Sequence, residues 1–307
     1  MREFKGYLMI LAAAILWGCS ATLAKLLLNQ NVSTILIVQT RVTFSALILL
    51  VFYLLFKPHI LRVGIHDLWR FALLGVLGVA GSNFTYYFAI RESTVATAIT
   101  LQYTAPLFVM ANTTFLGEEK FSTIKLAAAI VSLVGCFLAV GAYDTSVLRL
   151  STAGLISGIG SMISFSFFTI YTRHVLSRHN VWTTTFYALV FASLFWLVVN
   201  PPWSIVGENP VGEVWKGLVV LAIISILVPH SLYFSGMRYV VASRAIITST
   251  LEPVVAMVSA AIFLAEFLNP IRVAGAALVI GAIALLQVQK EEGTIQNFHA
   301  VRESDAS

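Results

Sequence analysis

Charge is what this chain has least of. Of 307 residues 11% are charged and 59% are hydrophobic, with 14 Asp and Glu in all. Soluble domains carry about a quarter charged residues, so this composition belongs to a membrane protein, and no stretch is polar enough to form a separate soluble domain. Aspartate occurs as Asp67, Asp144 and Asp305, all outside the apolar runs, which argues against an intramembrane aspartyl protease. A His-Glu-x-x-His pair and a Gly-x-Ser-x-Gly elbow are absent, which removes the usual signatures of zinc proteases and serine hydrolases. No Gly-rich phosphate loop occurs, so ATP-driven transport by this chain alone is not expected. Cys19 and Cys136 sit inside apolar runs without metal-ligand spacing and read as buried free thiols. No metal and no cofactor are expected. The net charge of +5 comes from basic residues in short loops, a topology signal rather than a nucleic-acid surface.

Long apolar runs fill the rest. They lie near 7–28, 33–56, 68–90, 95–116, 124–142, 153–176, 181–199, 214–234, 242–264 and 271–288. About 20 residues at 1.5 Å each cross the ~30 Å hydrocarbon core, and a spanning segment must satisfy its own backbone, which selects helices. The first run, after Arg2 and Lys5, is too long for a signal peptide and reads as a retained anchor. The turn around 200–214 holds Pro201, Pro202 and Pro210, and the polar tail after Lys290 reads as disordered. With the N-terminus inside, Lys25, Arg91, Arg149, Lys216 and Arg272 face outside, Arg41 lies within a span, and the other Lys and Arg of the total of 19 face inside. That bias follows the positive-inside rule and returns the C-terminus to the cytoplasm after ten spans.

The two halves repeat. At an offset of 147 residues Tyr86 falls on Tyr233, Arg91 on Arg238, Pro106 on Pro253, Met110 on Met257 and Glu119 on Glu266. At 148, Gly6 falls on Gly154, Trp17 on Phe165 and Lys25 on Arg173. Five spans per half is an odd number, so the second half inserts upside down. Inverted repeats are a transporter architecture with the substrate near the midplane, because two similar halves can rock about one site. The expected fold is therefore an all-α membrane protein of ten transmembrane helices in two inverted five-helix repeats, 1–145 and 146–290, with a cytoplasmic tail at 291–307. A channel would more often repeat its pore around subunits than within one chain.

Four stretches stand out: Ala14-Ile15-Leu16-Trp17-Gly18 with Lys25, Arg41 early in span 2, Gln102-Tyr103-Thr104-Ala105-Pro106 leading to Gly117-Glu118-Glu119, and Ser243-Arg244-Ala245 through Leu251-Glu252-Pro253 to Glu266. With these the chain resembles, over roughly residues 5 to 290, the EamA-type family of drug/metabolite transporters. The resemblance implies ten helices in tandem repeat and export of small metabolites, amino acids or drugs, with H+ as a candidate coupling ion. It implies a multi-pass protein of the plasma membrane, in bacteria the inner membrane. The partners to expect are a small-molecule substrate and the lipid bilayer, with the protein a monomer or weak homodimer and no nucleic acid.

Candidate transport residues follow from the repeat. Asn83 pairs with His230 and Tyr86 with Tyr233; Asn83 and Tyr86, like His230 and Tyr233, are three residues apart and so on one helix face. Gln102 pairs with Ser249 and Tyr103 with Thr250, just before Pro106 and Pro253, which act as hinges and free backbone carbonyls. The expected cavity is lined by spans 3, 4, 8 and 9, with Trp17 and Phe165 added by spans 1 and 6. Packing or interhelical bonding is the rival role for each of these polar and aromatic residues. Glu252, in the apolar run 242–264, has the weakest structural explanation, since a carboxylate in hydrocarbon must be paired, protonated or facing water. Arg41 lies about 12 Å below the outer end of span 2 and Glu252 about 15 Å above the inner end of span 9, so their depths match. An Arg41–Glu252 pair would make Glu252 structural, whereas an unpaired Glu252 suits proton coupling. Its repeat counterpart is Ala105. Glu119 and Glu266 read as solvated end carboxylates, Lys25 as snorkelling, with a role near the cavity mouth as its alternative, and Gly154 with Gly158 as a close-packing pair inside the bundle rather than a dimer face. Few cations are available, which favours zwitterionic or aromatic solutes over the alternative of phosphorylated or other anionic metabolites.

Overall fold

The computed structural model describes residues 2–30, 32–144, 151–201, 203, 212–264 and 268–288. Arg149, Pro202, Pro210, Glu266, Lys290, Arg302 and the tail at 291–307 lie outside the described residues. The apolar runs fold as helices. The first half holds α1 (Arg2–Asn29), α2 (Thr34–Phe56), α3 (Leu68–Leu73), α4 (Gly81–Glu92), α5 (Val95–Gln102), α6 (Ala105–Phe115) and α7 (Thr123–Ala139). The second holds α8 (Thr152–Leu176), α9 (Val181–Val199), α10 (Gly212–Ala222), α11 (Val228–Met237), α12 (Ala242–Ser249), α13 (Leu251–Leu264) and α14 (Pro270–Val288). A π-helical stretch, Leu74–Ala80, joins α3 to α4, and another, Ile223–Leu227, joins α10 to α11.

Local chemistry sets the ends. Ser33, Thr94, Ser122, Ser151 and Asn180 each accept a bond from the backbone N–H three residues on, capping α2, α5, α7, α8 and α9. Gly117 and Gly141 take φ of 71° and 77°, a left-handed turn that suits glycine, where the chain leaves α6 and α7. Among the described residues eight helical segments are long and apolar enough to cross a bilayer. α7 is shorter, at 17 residues, and the fourth run is divided between α5 with 8 residues and α6 with 11.

Interfaces recur with the halves exchanged. α4 packs on α8 as α11 packs on α1; α5 and α6 pack on α8 as α12 and α13 pack on α1. α2 lies against α9 and α7 against α14. Those two pairs join corresponding helices, and they run antiparallel. Along α2, Gln39 meets Asn200, Thr43 meets Ser193 and Tyr53 meets Phe186. A Cβ on Gly135 would lie 2.8 Å from the Gly275 carbonyl, and one on Gly141 would lie 2.8 Å from Arg272. The two π stretches and the two mid-run breaks, at Tyr103–Thr104 and Thr250, also fall at matching positions. The glycines of α8 pack inward as expected, Gly154 against Ser93 and Gly158 against Leu101.

Two expectations need correction. Cys19 is exposed, and only Cys136 is buried, because the outward face of α1 is apolar surface made for lipid rather than for protein. Glu119 is not a solvated end carboxylate. It is 6% exposed, accepts from the Lys125 ammonium at 2.8 Å and the Ser243 N–H at 3.1 Å, and is bonded by the Ser243 hydroxyl. An ammonium and the N-terminal N–H groups of α12 stabilise a carboxylate there. Arg244, 1% exposed, meets Glu3 at 3.1 Å and the Tyr7 hydroxyl at 3.1 Å. Together these contacts fasten the end of the bundle where α1 begins.

Candidate functional site

The cavity lies between the halves. It holds about 160 Å³ and is lined by α1, α2, the first π stretch, α4, α5, α8, the second π stretch, α11 and α13. Of the residues singled out from sequence, Trp17, Arg41, Asn83, Tyr86, Gln102, His230 and Glu252 line it, with Phe165. Tyr103, Tyr233 and Thr250 do not. Tyr103 stands behind the wall and donates its hydroxyl to Glu252 at 2.8 Å. Tyr233 is fully buried, with its hydroxyl 3.2 Å from that of Thr169 and its ring 5.3 Å from Trp17. Thr250 bonds back to the Ile247 carbonyl at 2.6 Å and shapes the break between α12 and α13. Pro106 and Pro253 lie in the first turns of α6 and α13, just past those breaks. A residue without an N–H is tolerated there because no intrahelical bond is lost.

Arg41 and Glu252 share the cavity without forming an ion pair. A guanidinium nitrogen of Arg41 donates to Asn83 Oδ1, and the group lies 5.3 Å over the Tyr87 ring. Asn83 is fixed in turn, its amide nitrogen donating to the Val79 carbonyl at 2.7 Å. Gln102 donates to Ser161 at 2.9 Å and to Ser82 at 3.3 Å. His230 meets Trp17 edge-on at 5.5 Å and Phe168 at 5.6 Å. Among the described residues the site therefore presents the Arg41 guanidinium, the Glu252 carboxylate, side-chain amides and aromatic walls, all on helices or π stretches.

Sequence reasoning missed Ser20, Ala21, Ala24, Gly78, Ser82, Tyr87, Phe168 and Ser225, which also line the cavity, and it left out α2 as a wall. A signal for several of them was present in the repeat. At the 148 offset Ser20, Ala21 and Ala24 correspond to Phe168, Thr169 and Thr172. The small members of these pairs leave open space towards the α1–α2 turn. The large ones fill it at the opposite end, where Phe168 stacks on Tyr233 at 5.8 Å and meets Phe234 at 5.5 Å. Gly78 lets the α8 backbone approach closely here, since a Cβ there would lie 3.2 Å from the Phe168 Cα. The π stretches had no clear sequence mark, although Pro229 interrupts the helical ladder next to the second. Such stretches often accompany functional sites.

The model of the EamA-like transporter family matches residues 4–141 and 152–288, once in each half. The chain belongs to the EamA-like transporter family. Among its relatives is an uncharacterized inner membrane transporter, YicL of Salmonella typhimurium, 26% identical over 254 residues that cover 81% of this chain and 84% of that one. The threonine/homoserine exporter RhtA of Escherichia coli K12 is 26% identical over 259 residues, covering 82% and 81%. A solved crystal structure superposes with a TM-score of 0.77 at 19% identity, covering 92% of this chain and 96% of that one. That likeness is one of fold. As an EamA-like chain, the protein is a multi-pass, all-α membrane protein of two-repeat architecture.

Proposed function

We propose that this EamA-like protein is a secondary active exporter of small zwitterionic metabolites, amino acids and their near analogues. It works by alternating access, with Glu252 carrying the coupling proton. The supporting observation is a cavity between the repeats that presents Arg41 and Glu252 unpaired to each other among aromatic walls. Its volume of about 160 Å³ suits a small solute better than a drug, since pockets that enclose drug-sized ligands measure roughly 300–1,000 Å³. A phosphorylated substrate would call for several cations, and Arg41 is the Lys or Arg among the lining residues. The exporter RhtA is a relative whose named substrates, threonine and homoserine, carry both charges.

In this mechanism the five runs of each half all cross the bilayer, with both termini cytoplasmic and the halves, 1–145 and 146–290, inverted. The antiparallel course of α2 on α9 and of α7 on α14 supports the inversion. The cavity then opens outward past Ser20, Ala21 and Ala24. The packing of Phe168, Tyr233 and Phe234 closes the cytoplasmic side. Rocking would part the second group and bring the first together, exposing one site to each side in turn. Tyr103 holds Glu252 in place for proton exchange.

The test is uptake of L-threonine, L-homoserine and L-phenylalanine into proteoliposomes, with and without a pH gradient, for the native protein and E252Q. The native protein is expected to respond to the gradient, and E252Q to retain only gradient-independent exchange. An E252Q protein whose proton dependence is unchanged removes Glu252 from coupling.

A further inference from the structure

The cations held inside the bundle, Lys125 and Arg244 buried and Arg41 half-buried, are not treated alike. Lys125 has the Glu119 carboxylate at 2.8 Å, and Arg244 has that of Glu3 at 3.1 Å. Arg41 has neutral neighbours. Asn83 Oδ1 accepts from one guanidinium nitrogen, the Tyr87 ring lies 5.3 Å away, and Nε is buried without a partner. Among the described residues no carboxylate stands within ion-pair distance of it. Glu252 lines the same cavity, but its carboxylate is bonded by Tyr103.

A cation kept for packing alone would be expected to carry a counter-ion at this depth, because an uncompensated charge inside a membrane costs several kcal/mol. Glu252 across the cavity, bonded by Tyr103, compensates it only partly. The guanidinium is a planar fork whose paired N–H groups match a carboxylate. One donor is held by an amide oxygen, a weaker acceptor that a carboxylate can displace. The ring beneath the group keeps its plane fixed while that exchange occurs.

We infer that Arg41 is the anion subsite of the cavity, built to take the carboxylate of the transported solute in place of Asn83. The inference deepens the exporter reading and rests on it for the identity of the solute, though not for the anion site itself.

The test uses the full chain in proteoliposomes, with C19S to remove the exposed thiol and A24C as a reporter inside the cavity. The reporter is reacted with methanethiosulfonates bearing a sulfonate, a trimethylammonium or no charge. With Arg41 in place the sulfonate reagent is expected to be favoured. R41Q should lower the sulfonate-to-ammonium rate ratio by about tenfold, the scale on which a charged cleft changes encounter rates, while R41K should keep it. The neutral reagent shows that the cavity persists. Should R41Q fail to fold, N83D neutralises the guanidinium in place and should lower the ratio in the same way. A ratio unmoved by both substitutions overturns the anion subsite. In a second arm L-threonine is expected to slow labelling of the Arg41 protein, and L-threoninol, which lacks the carboxyl group, is not. Equal protection by the two contradicts carboxylate recognition. Protection by neither L-threonine nor L-homoserine, added in the same way, with the charge effect intact, leaves the anion subsite standing and sinks the amino-acid exporter reading.

Discussion

Glu252 and Arg41 stand in one cavity, yet each is held by a different neutral neighbour, Tyr103 for the carboxylate and Asn83 for the guanidinium. Matching depth made a pair conceivable from sequence. In the structure each bonds a neutral partner instead, and depth along a helix says nothing about which side chains meet. Glu119 went unrecognised for the same reason, since its partners Lys125 and Ser243 come from the next helix and from the other half. A further residue-scale consequence lies outside the spans, at His179. Its ring sits 4.8 Å from Phe71 and 3.6 Å from the Asp67 carboxylate, and Arg70 and Arg178 also face it. Burial, the largest influence, holds its pKa below the ordinary histidine value, with the arginines adding to this and Asp67 opposing it. A depressed pKa means that the neutral form is favoured on folding. The associated stability is present above the unfolded pKa of about 6.5 and is lost as pH falls through the lower folded value. Thermal unfolding in detergent should therefore shift downward from pH 7.5 to pH 5, and H179N should show a shallower slope. An unchanged slope in H179N would remove His179 as the cause.

At the scale of elements, the apolar runs were legible because bilayer thickness imposes their length, and the mid-run breaks were legible because Pro106 and Pro253 follow them. The π stretches were not, because a π turn differs from an α turn by a single residue of register that side-chain pattern hardly records. Close helix contacts were legible only in part. Gly154 and Gly158 stood out as a pair, whereas Gly135 and Gly275 lie far apart in sequence and meet only in the folded bundle. An added Cβ at Gly135 would lie 2.8 Å from the Gly275 carbonyl and 2.9 Å from the Val279 nitrogen, both backbone atoms that cannot swing aside. G135A is expected to destabilise the protein by about 1–3 kcal/mol, the usual cost of overpacking, seen as a lower unfolding temperature. G281A, where nothing lies within 4 Å, should leave it unchanged. Equal effects of the two substitutions would mean that the α7–α14 contact does not hold the halves together.

For the whole molecule, the repeat is what turns a list of helices into a machine. Interfaces that recur with the halves exchanged give a symmetric frame, and two departures from symmetry fall at the cavity. Glu252 stands against Ala105, and Ser20 against Phe168. The first places a carboxylate on one side of the frame only. The second leaves the cavity open towards one end and filled at the other. The central claim is that this cavity carries a solute by exposing it to the two sides alternately. Counterflow tests it most directly: proteoliposomes loaded with unlabelled L-threonine or L-homoserine are diluted into a trace of the labelled amino acid, with no ion gradient. The account predicts transient, saturable accumulation of label above equilibrium. Label that only equilibrates, at a rate linear in concentration, would indicate a channel-like path and contradict it.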